Sequence, residues 1–94
     1  MNYQIHPQFG LQLTKQGVRI INHFAQMACD KSLNANDVST QGLYLNQTIN
    51  AILSKQDIDE LHLVSESVAF NDPRILMIRT AFFTMVTCFE FTKK

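Results

Sequence analysis

The most constraining feature of this chain is the apolar run from Ile75 to Phe91, which directly follows Asn71-Asp72-Pro73. A cap residue followed by proline at the first helical position is a strong signal for a helix start. The threonines at 80, 84 and 87 fall on one side of such a helix. Apolar residues recur on the other side with the spacing of a buried face: Ile75, Ile78, Phe82, Met85, Val86 and Phe89. The sequence therefore predicts a helix from Pro73 to about Phe91, packed on one side only.

The length of this run invites comparison with a membrane span, which needs ~20 apolar residues with few charges. Arg79, Glu90 and the threonines interrupt the run at helical spacing and give it a polar side. We therefore expect a core helix of a soluble domain. The first residues show no basic region followed by an apolar stretch, so we expect no secretory signal and a cytoplasmic location.

Another strongly periodic segment runs from about Thr14 to Lys31, with Thr14 as its predicted N-cap. Its apolar residues lie three and four positions apart, as one buried stripe requires: Leu13, Gly17, Ile20, Ile21, Phe24, Met27 and Ala28. The polar stretch Asn34-Ala35-Asn36-Asp37 predicts a break after it.

Two further helices are predicted between these segments. One covers roughly Thr40 to Ser54, capped by Asp37 or Ser39. The other begins at Asp57, whose Asp-x-x-Glu spacing to Glu60 is typical of a capping box. Helical spacing continues through it in four apolar residues: Ile58, Leu61, Val64 and Val68.

The expected fold is therefore an all-α single domain over residues 1–94, with residues 1–8 a candidate flexible segment. Four antiparallel helices, or a long hairpin with two shorter helices between its arms, would satisfy the pattern. Only 17% of the 94 residues are charged, whereas typical soluble domains have about 25%. A small domain with seven phenylalanines and few charges leaves apolar patches on its surface. We therefore expect a homo-oligomer.

Charge and motifs exclude several classes of function. Eight basic and eight acidic residues give no net charge, which disfavours nucleic acid and anionic membranes as partners. Phosphate-binding glycine loops, zinc-protease motifs and nucleophile elbows are absent from the sequence, so we expect neither an enzyme nor a cofactor or metal site. The nearest metal-like set is Asp59, His62 and Glu66, whose spacing also suits an ordinary solvated helix face. Cys29 and Cys88 lie in apolar segments and are predicted to be buried free thiols.

The basic residues suggest an anion site. Lys15, Arg19 and His23 recur every four residues along the first helix, while Arg74 and Arg79 lie on the last. If the two helices pack together or meet across a subunit boundary, these donors could hold a phosphate or carboxylate. Ordinary solvated charges are the alternative. Arg79 stands among apolar residues and should have a partner, which could be Asp59, Glu60, Glu66, another subunit or a ligand.

Two stretches resemble the phage helical-hairpin proteins that sequester cyclic-nucleotide immune signals, the anti-CBASS sponges and their anti-Thoeris relatives. The similar residues are Leu13-Thr14 leading to Ile21-Asn22, and Asp72-Pro73-Arg74 leading to Arg79-Thr80. The resemblance implies a viral protein that forms compact oligomers, with Arg79 and Thr80 in a nucleotide pocket at a subunit boundary. The family's aromatic and lysine contacts would fall near Gly10 and Ala25, which implies a different pocket or ligand here.

Two functional hypotheses follow. In the first, an oligomeric, non-enzymatic protein withholds a small anionic ligand such as a signalling cyclic nucleotide, with Arg79, Thr80, Lys15 and Arg19 as contacts. In the second, the chain is an inhibitor or adaptor that binds a host protein through its Phe-rich last helix.

Overall fold

A computed structural model describes residues 1–30 and 38–92 and shows a mainly helical protein. Within these ranges the chain forms two strands and five helices, listed here in chain order: β1 (Tyr3–His6), β2 (Gly10–Leu13), α1 (Lys15–Ala28), α2 (Val38–Ile52), α3 (Lys55–His62), α4 (Glu66–Phe70) and α5 (Pro73–Thr92). The prediction of a mostly helical fold is confirmed. To the expected all-α architecture the structure adds one small element, the β-hairpin formed by β1 and β2.

The core lies where α1, α2 and α5 meet, since α1 packs against both other helices and α2 also contacts α5. From α1 it takes mainly small side chains beside Ile21, which lets the helices approach closely. The buried apolar residues lie in these three helices or directly after α1 and α2: Ile21, Ala25, Ala28, Cys29, Ile52, Leu53, Ile75, Ile78, Phe82 and Val86. Cys29 is buried as predicted, but Cys88 is exposed because it lies on the side of α5 away from the core.

The predicted long helices match the structure closely. Thr14 is the N-cap of α1, and its hydroxyl accepts a hydrogen bond from the Gly17 amide at 3.3 Å. Asp72 caps α5 by accepting from the Arg74 amide at 2.9 Å. On α2, Val38 is already helical, so Ser39 lies inside the helix and is not its cap; Asp37 lies outside the described residues.

The third predicted helix is wrong in two ways. Its cap is Ser54, whose hydroxyl accepts from the Asp57 amide at 3.2 Å, so α3 starts two residues before Asp57. The helix then stops at His62, and Ser65 caps a separate α4. Val64 and Val68 consequently leave the apolar stripe and are 44% and 58% exposed.

The N-terminal hairpin begins within residues 1–8, which the sequence indicated as a candidate flexible segment. Its strands pair antiparallel, with Tyr3 opposite Leu13 and Ile5 opposite Leu11. The three-residue loop ends at Gly10, whose φ of +76° is the left-handed conformation that such turns require. His6 stabilises the loop because its Nδ1 accepts hydrogen bonds from the amides of Gln8 and Phe9 at 3.0 and 3.2 Å.

Asn2 connects this hairpin to the helices. Its side-chain amide donates to the carbonyl of Ile52 at 3.0 Å and of Ala51 at 3.3 Å, which satisfies two free carbonyls at the end of α2. The backbone carbonyl of Asn2 accepts a hydrogen bond from the backbone amide of Thr14 at 3.0 Å. The residues before α1 are thus part of the folded domain.

Candidate functional site

Arg79 and Thr80 lie together on the surface of α5. They line a shallow depression of about 350 Å³ with Phe83, Thr84 and Thr87, all from the same helix. Thr80 is exposed and Phe83 is 41% exposed. A cation, a hydroxyl and an aromatic ring therefore share one small surface.

Arg79 has a partner, but it is not one of the predicted acids. Its guanidinium carbon lies 3.7 Å from the centre of the Phe70 ring, and Nη1 donates to the Phe70 carbonyl at 3.3 Å. A cation above an aromatic face at an exposed site contributes about 0.5–1 kcal/mol, so this contact fastens α4 to α5. It uses one of the five guanidinium N–H donors and leaves the others free to bind another group.

The threonines beside Arg79 are less polar than their sequence suggests. The Thr84 hydroxyl donates to the Thr80 carbonyl at 2.7 Å, and the Thr87 hydroxyl donates to the Phe83 carbonyl at 2.9 Å. These bonds turn both hydroxyls back onto the helix, and their methyl groups cover the surface instead. The side that the sequence marks as polar is therefore substantially apolar.

These residues belong to a longer exposed stripe on α5, which we call the outer face. It consists of Leu76, Thr80, Phe83, Thr84, Thr87 and Phe91. Leu76, Phe83 and Phe91 are 37%, 41% and 73% exposed. Spacings of three and four residues keep the stripe on one side of the helix, opposite the buried Ile75, Ile78, Phe82 and Val86.

By length and composition, α5 is the one helix within residues 1–30 and 38–92 that could cross a membrane, with a hydropathy of 1.4. The sequence argument that its polar side excludes a span was therefore too strong. Only 22% of an 18-residue apolar stretch of α5 is buried, which leaves most of this helix outside the core. Such a helix is weak evidence for a span, because core helices of soluble proteins satisfy the same criteria.

Lys15 and Arg19 are exposed on α1 and do not line the depression that holds Arg79 and Thr80. His23 is also exposed, and its ring contacts Phe24 edge to face at 5.2 Å. Within one copy, the expected convergence of cations from α1 and α5 is thus not formed around Arg79.

Arg74 is held by acids and is not a free cation. Its Nη1 lies 2.6 Å from Asp57 Oδ1 and 2.9 Å from Glu60 Oε2, while Nε and Nη2 bind the two Asp72 oxygens at 2.9 and 3.0 Å. The hydrogen bonds from Arg74 lower the pKa of Asp72, although burial opposes them. The same carboxylates, Asp72 foremost, raise the pKa of Arg74.

This ion cluster gives Asp57 and Glu60 a role that sequence reasoning missed. They were predicted to cap α3, and Glu60 was also a candidate partner for Arg79; instead both bind Arg74 and join α3 to the start of α5. The spacing Asp72-Pro73-Arg74 could have predicted the contact between Asp72 and Arg74, because an N-cap carboxylate can reach an arginine two residues later. The contacts across 14 and 17 residues had no local signal.

Asp59, His62 and Glu66, the predicted metal-like set, do not share one helix face. The helix α3 ends at His62, and Glu66 belongs to α4. His62 and Glu66 line the rim of a cleft of about 470 Å³ whose walls include Ile49, Leu53 and Leu61, and Asp59 is not among its lining residues. Among the described residues, no group of three or more His, Cys, Asp or Glu side chains is placed to hold a metal ion.

Comparison with known proteins finds no family model, no curated protein and no solved structure that matches this chain. The resemblance to the phage sponges therefore stays a hypothesis, and the outer face of α5 with Arg79 at its edge is the surface on which a functional proposal rests.

Proposed function

We propose that this chain is a non-enzymatic binding protein that engages a helix of a partner through the outer face of α5. The observation that carries the proposal is the exposed stripe in which the hydroxyls of Thr84 and Thr87 are bonded to carbonyls of the same helix. Methyl and phenyl groups spaced at three and four residues are the surface that helix-on-helix recognition uses. Rows of apolar side chains left in water commonly mark such contacts.

Site-specific photo-crosslinking tests this proposal. A benzoyl-phenylalanine placed at Phe83 reports on the outer face, and the same residue at Gln47, which is exposed on α2, is the matched control. Irradiation of cells and of concentrated purified protein should give adducts from position 83 and none from position 47. Equal labelling from both positions, or none from either, would remove the proposal.

A second candidate function is the sequestration of a small anionic ligand such as a signalling cyclic nucleotide. The shared depression of Arg79, Thr80 and Phe83 favours it, because the free guanidinium donors suit a phosphate and an exposed ring suits a base. The resemblance to the phage sponges points the same way. Lys15 and Arg19 would join this site only from another copy of the chain.

Melting temperature measured with cyclic dinucleotides, cyclic trinucleotides and ADP-ribose derivatives tests this second function. A ligand at 100 times its Kd stabilises the folded state by about 2.7 kcal/mol, which raises the Tm of a domain this small by roughly 10 °C or more. Arg79→Gln should abolish the shift, and Arg19→Gln tests whether α1 contributes. No shift with any of these ligands would exclude the candidate.

A further inference from the structure

The outer face carries a charge pattern that is complementary to itself. The charged residues of α5 are Arg74, Arg79 and Glu90, and Arg74 is already held by three carboxylates. Arg79 and Glu90 are 11 residues apart, which places them about 20° apart around the helix and ~16 Å apart along it. One edge of the outer face therefore has a positive charge near its start and a negative charge near its end.

We infer that the partner on this face is a second copy of the chain, with the two α5 helices antiparallel about a two-fold axis between residues 84 and 85. This inference rests on the proposed function and names its partner. The axis brings Arg79 of each copy beside Glu90 of the other, so two opposite-charge pairs form. A parallel two-fold arrangement would put the charged edges of the two copies on opposite sides of the interface, where Arg79 and Glu90 cannot pair.

The same axis interleaves the apolar side chains. At this register the second copy's Phe91 falls in the gap between Leu76 and Thr80, and its Thr87 falls between Thr80 and Phe83. The second copy's Phe83 falls between Thr84 and Thr87 along the first helix. Side chains of one helix thus enter the gaps of the other, as close helix packing requires. The apolar packing is compatible with the register that the charge pairs select.

Within residues 1–30 and 38–92, neither charge is held by a strong contact. Arg79 keeps free N–H donors above the Phe70 ring, and the Glu90 carboxylate accepts one exposed hydrogen bond from Gln41 at 3.4 Å. Both groups can reach a neighbour without giving up a buried interaction.

The size of the face indicates a weak contact. From Leu76 to Phe91 the stripe is ~22 Å long, and one helix is ~10 Å wide, so each copy buries a few hundred Å². Standard stable interfaces bury about 800 Å² per partner. We therefore expect a reversible dimer that forms only at high protein concentration.

Sedimentation equilibrium over a wide concentration range, with charge-swapped variants, tests the inference. Arg79→Glu alone and Glu90→Arg alone should each weaken the dimer by about tenfold or more, because each places two like-charge pairs at the interface. The double variant R79E/E90R should restore it. An equimolar mixture of the two single variants should also dimerise, since all four charges are then complementary. Lys55→Glu, a charge reversal at an exposed position on α3, is the control and should have no effect.

The outcomes separate this inference from the proposed function. If the chain stays monomeric while position 83 crosslinks to another protein, the partner is not a second copy of the chain. The proposed function, binding of a partner helix through the outer face, would still hold. Single swaps that dimerise as well as the unmodified chain would overturn the antiparallel register. Binding of α5 to phospholipid vesicles, or an Arg79-dependent nucleotide shift in a monomer, would overturn it in favour of a lipid or an anion on the same face. Absence of adducts at position 83 would remove both.

Discussion

Gly17 lies where the backbone of Asn2 crosses α1, and its lack of a side chain is what permits that crossing. A Cβ built at this position would overlap the Asn2 carbonyl oxygen, which belongs to the main chain and cannot simply rotate away. For Gly42, in the interior of α2, no atom of the described residues outside the nearby backbone of the same helix lies within 4 Å of such a Cβ. A close backbone approach thus requires glycine at position 17, and no described contact requires it at position 42.

We expect Gly17→Ala to destabilise the protein by about 1–3 kcal/mol, because the N-terminal segment must shift away from α1. Gly42→Ala should stabilise it by about 0.5–1 kcal/mol, because alanine favours helix and meets no neighbour. Urea unfolding of both variants measures the two effects. Stabilisation by both substitutions would show that Asn2 does not pack on α1.

Asp72 makes stability depend on pH through its bond with Arg74. Its pKa in the folded protein lies below its ordinary value of 3.8. The contribution of Asp72 is therefore fully present well above pH 3.8 and is lost as the pH falls through the lower folded-state pKa. The cause is protonation, which removes the charge that the guanidinium binds.

The free energy of unfolding, measured between neutral pH and pH 2.5 to 3 by urea titration, should reveal this loss below about pH 4. Asp72→Asn should be less stable at neutral pH and should lose this part of the acid sensitivity, while asparagine still caps α5. Asp59→Asn, an exposed carboxylate on α3, is the control and should follow the unmodified chain. Identical acid profiles for Asp72→Asn and the unmodified chain would contradict the assignment.

At the scale of elements, the hairpin and the break between α3 and α4 both depend on a single turn residue. Gly10 supplies a left-handed conformation at the end of the hairpin loop, and Ser65 supplies a cap in the middle of an otherwise helical pattern. Each is a local event that overrides the periodicity of the residues around it. That is why apolar spacing alone predicted one continuous helix across Ser65 and did not predict the hairpin.

We expect Gly10→Ala to cost about 1–2 kcal/mol, because a Cβ disfavours the left-handed region. Gly10→Asn should cost less, because asparagine tolerates this conformation better than alanine does. Hydrogen exchange of the amides in β1 and β2 locates the effect, which should be greater there than in α5. Equal stability of the alanine and asparagine variants would indicate that the loop does not need this conformation.

At the scale of the molecule, the fold is a thin slab of 38 × 29 × 18 Å. A depth of 18 Å accommodates about two layers of helix, each ~10 Å across. In such a slab the described elements cover the core side of α5 and leave its outer face exposed.

Phe82 and Phe83 test this arrangement as neighbours on opposite faces. Phe82 has no exposed surface, whereas Phe83 is 41% exposed. At protein concentrations low enough to keep the chain monomeric, Phe82→Leu should lower the free energy of unfolding by about 1–2 kcal/mol, and Phe83→Leu should change it by less than ~0.5 kcal/mol. Chemical denaturation measures both. A larger loss for Phe83→Leu would place the core on the wrong side of α5.

The amino-acid sequence alone determined α1, α2 and α5, the caps Thr14 and Asp72, and the buried side of α5, because these depend on contacts within a few residues. It also singled out Arg79 and Thr80, which the fold brings into one depression. Only tertiary structure decided that Asp57 and Glu60 bind Arg74, that Arg79 stacks on Phe70, and that Asn2 closes α2. Those contacts join residues 9 to 50 positions apart, and no spacing rule along the chain can specify which distant groups the packing of helices will bring together.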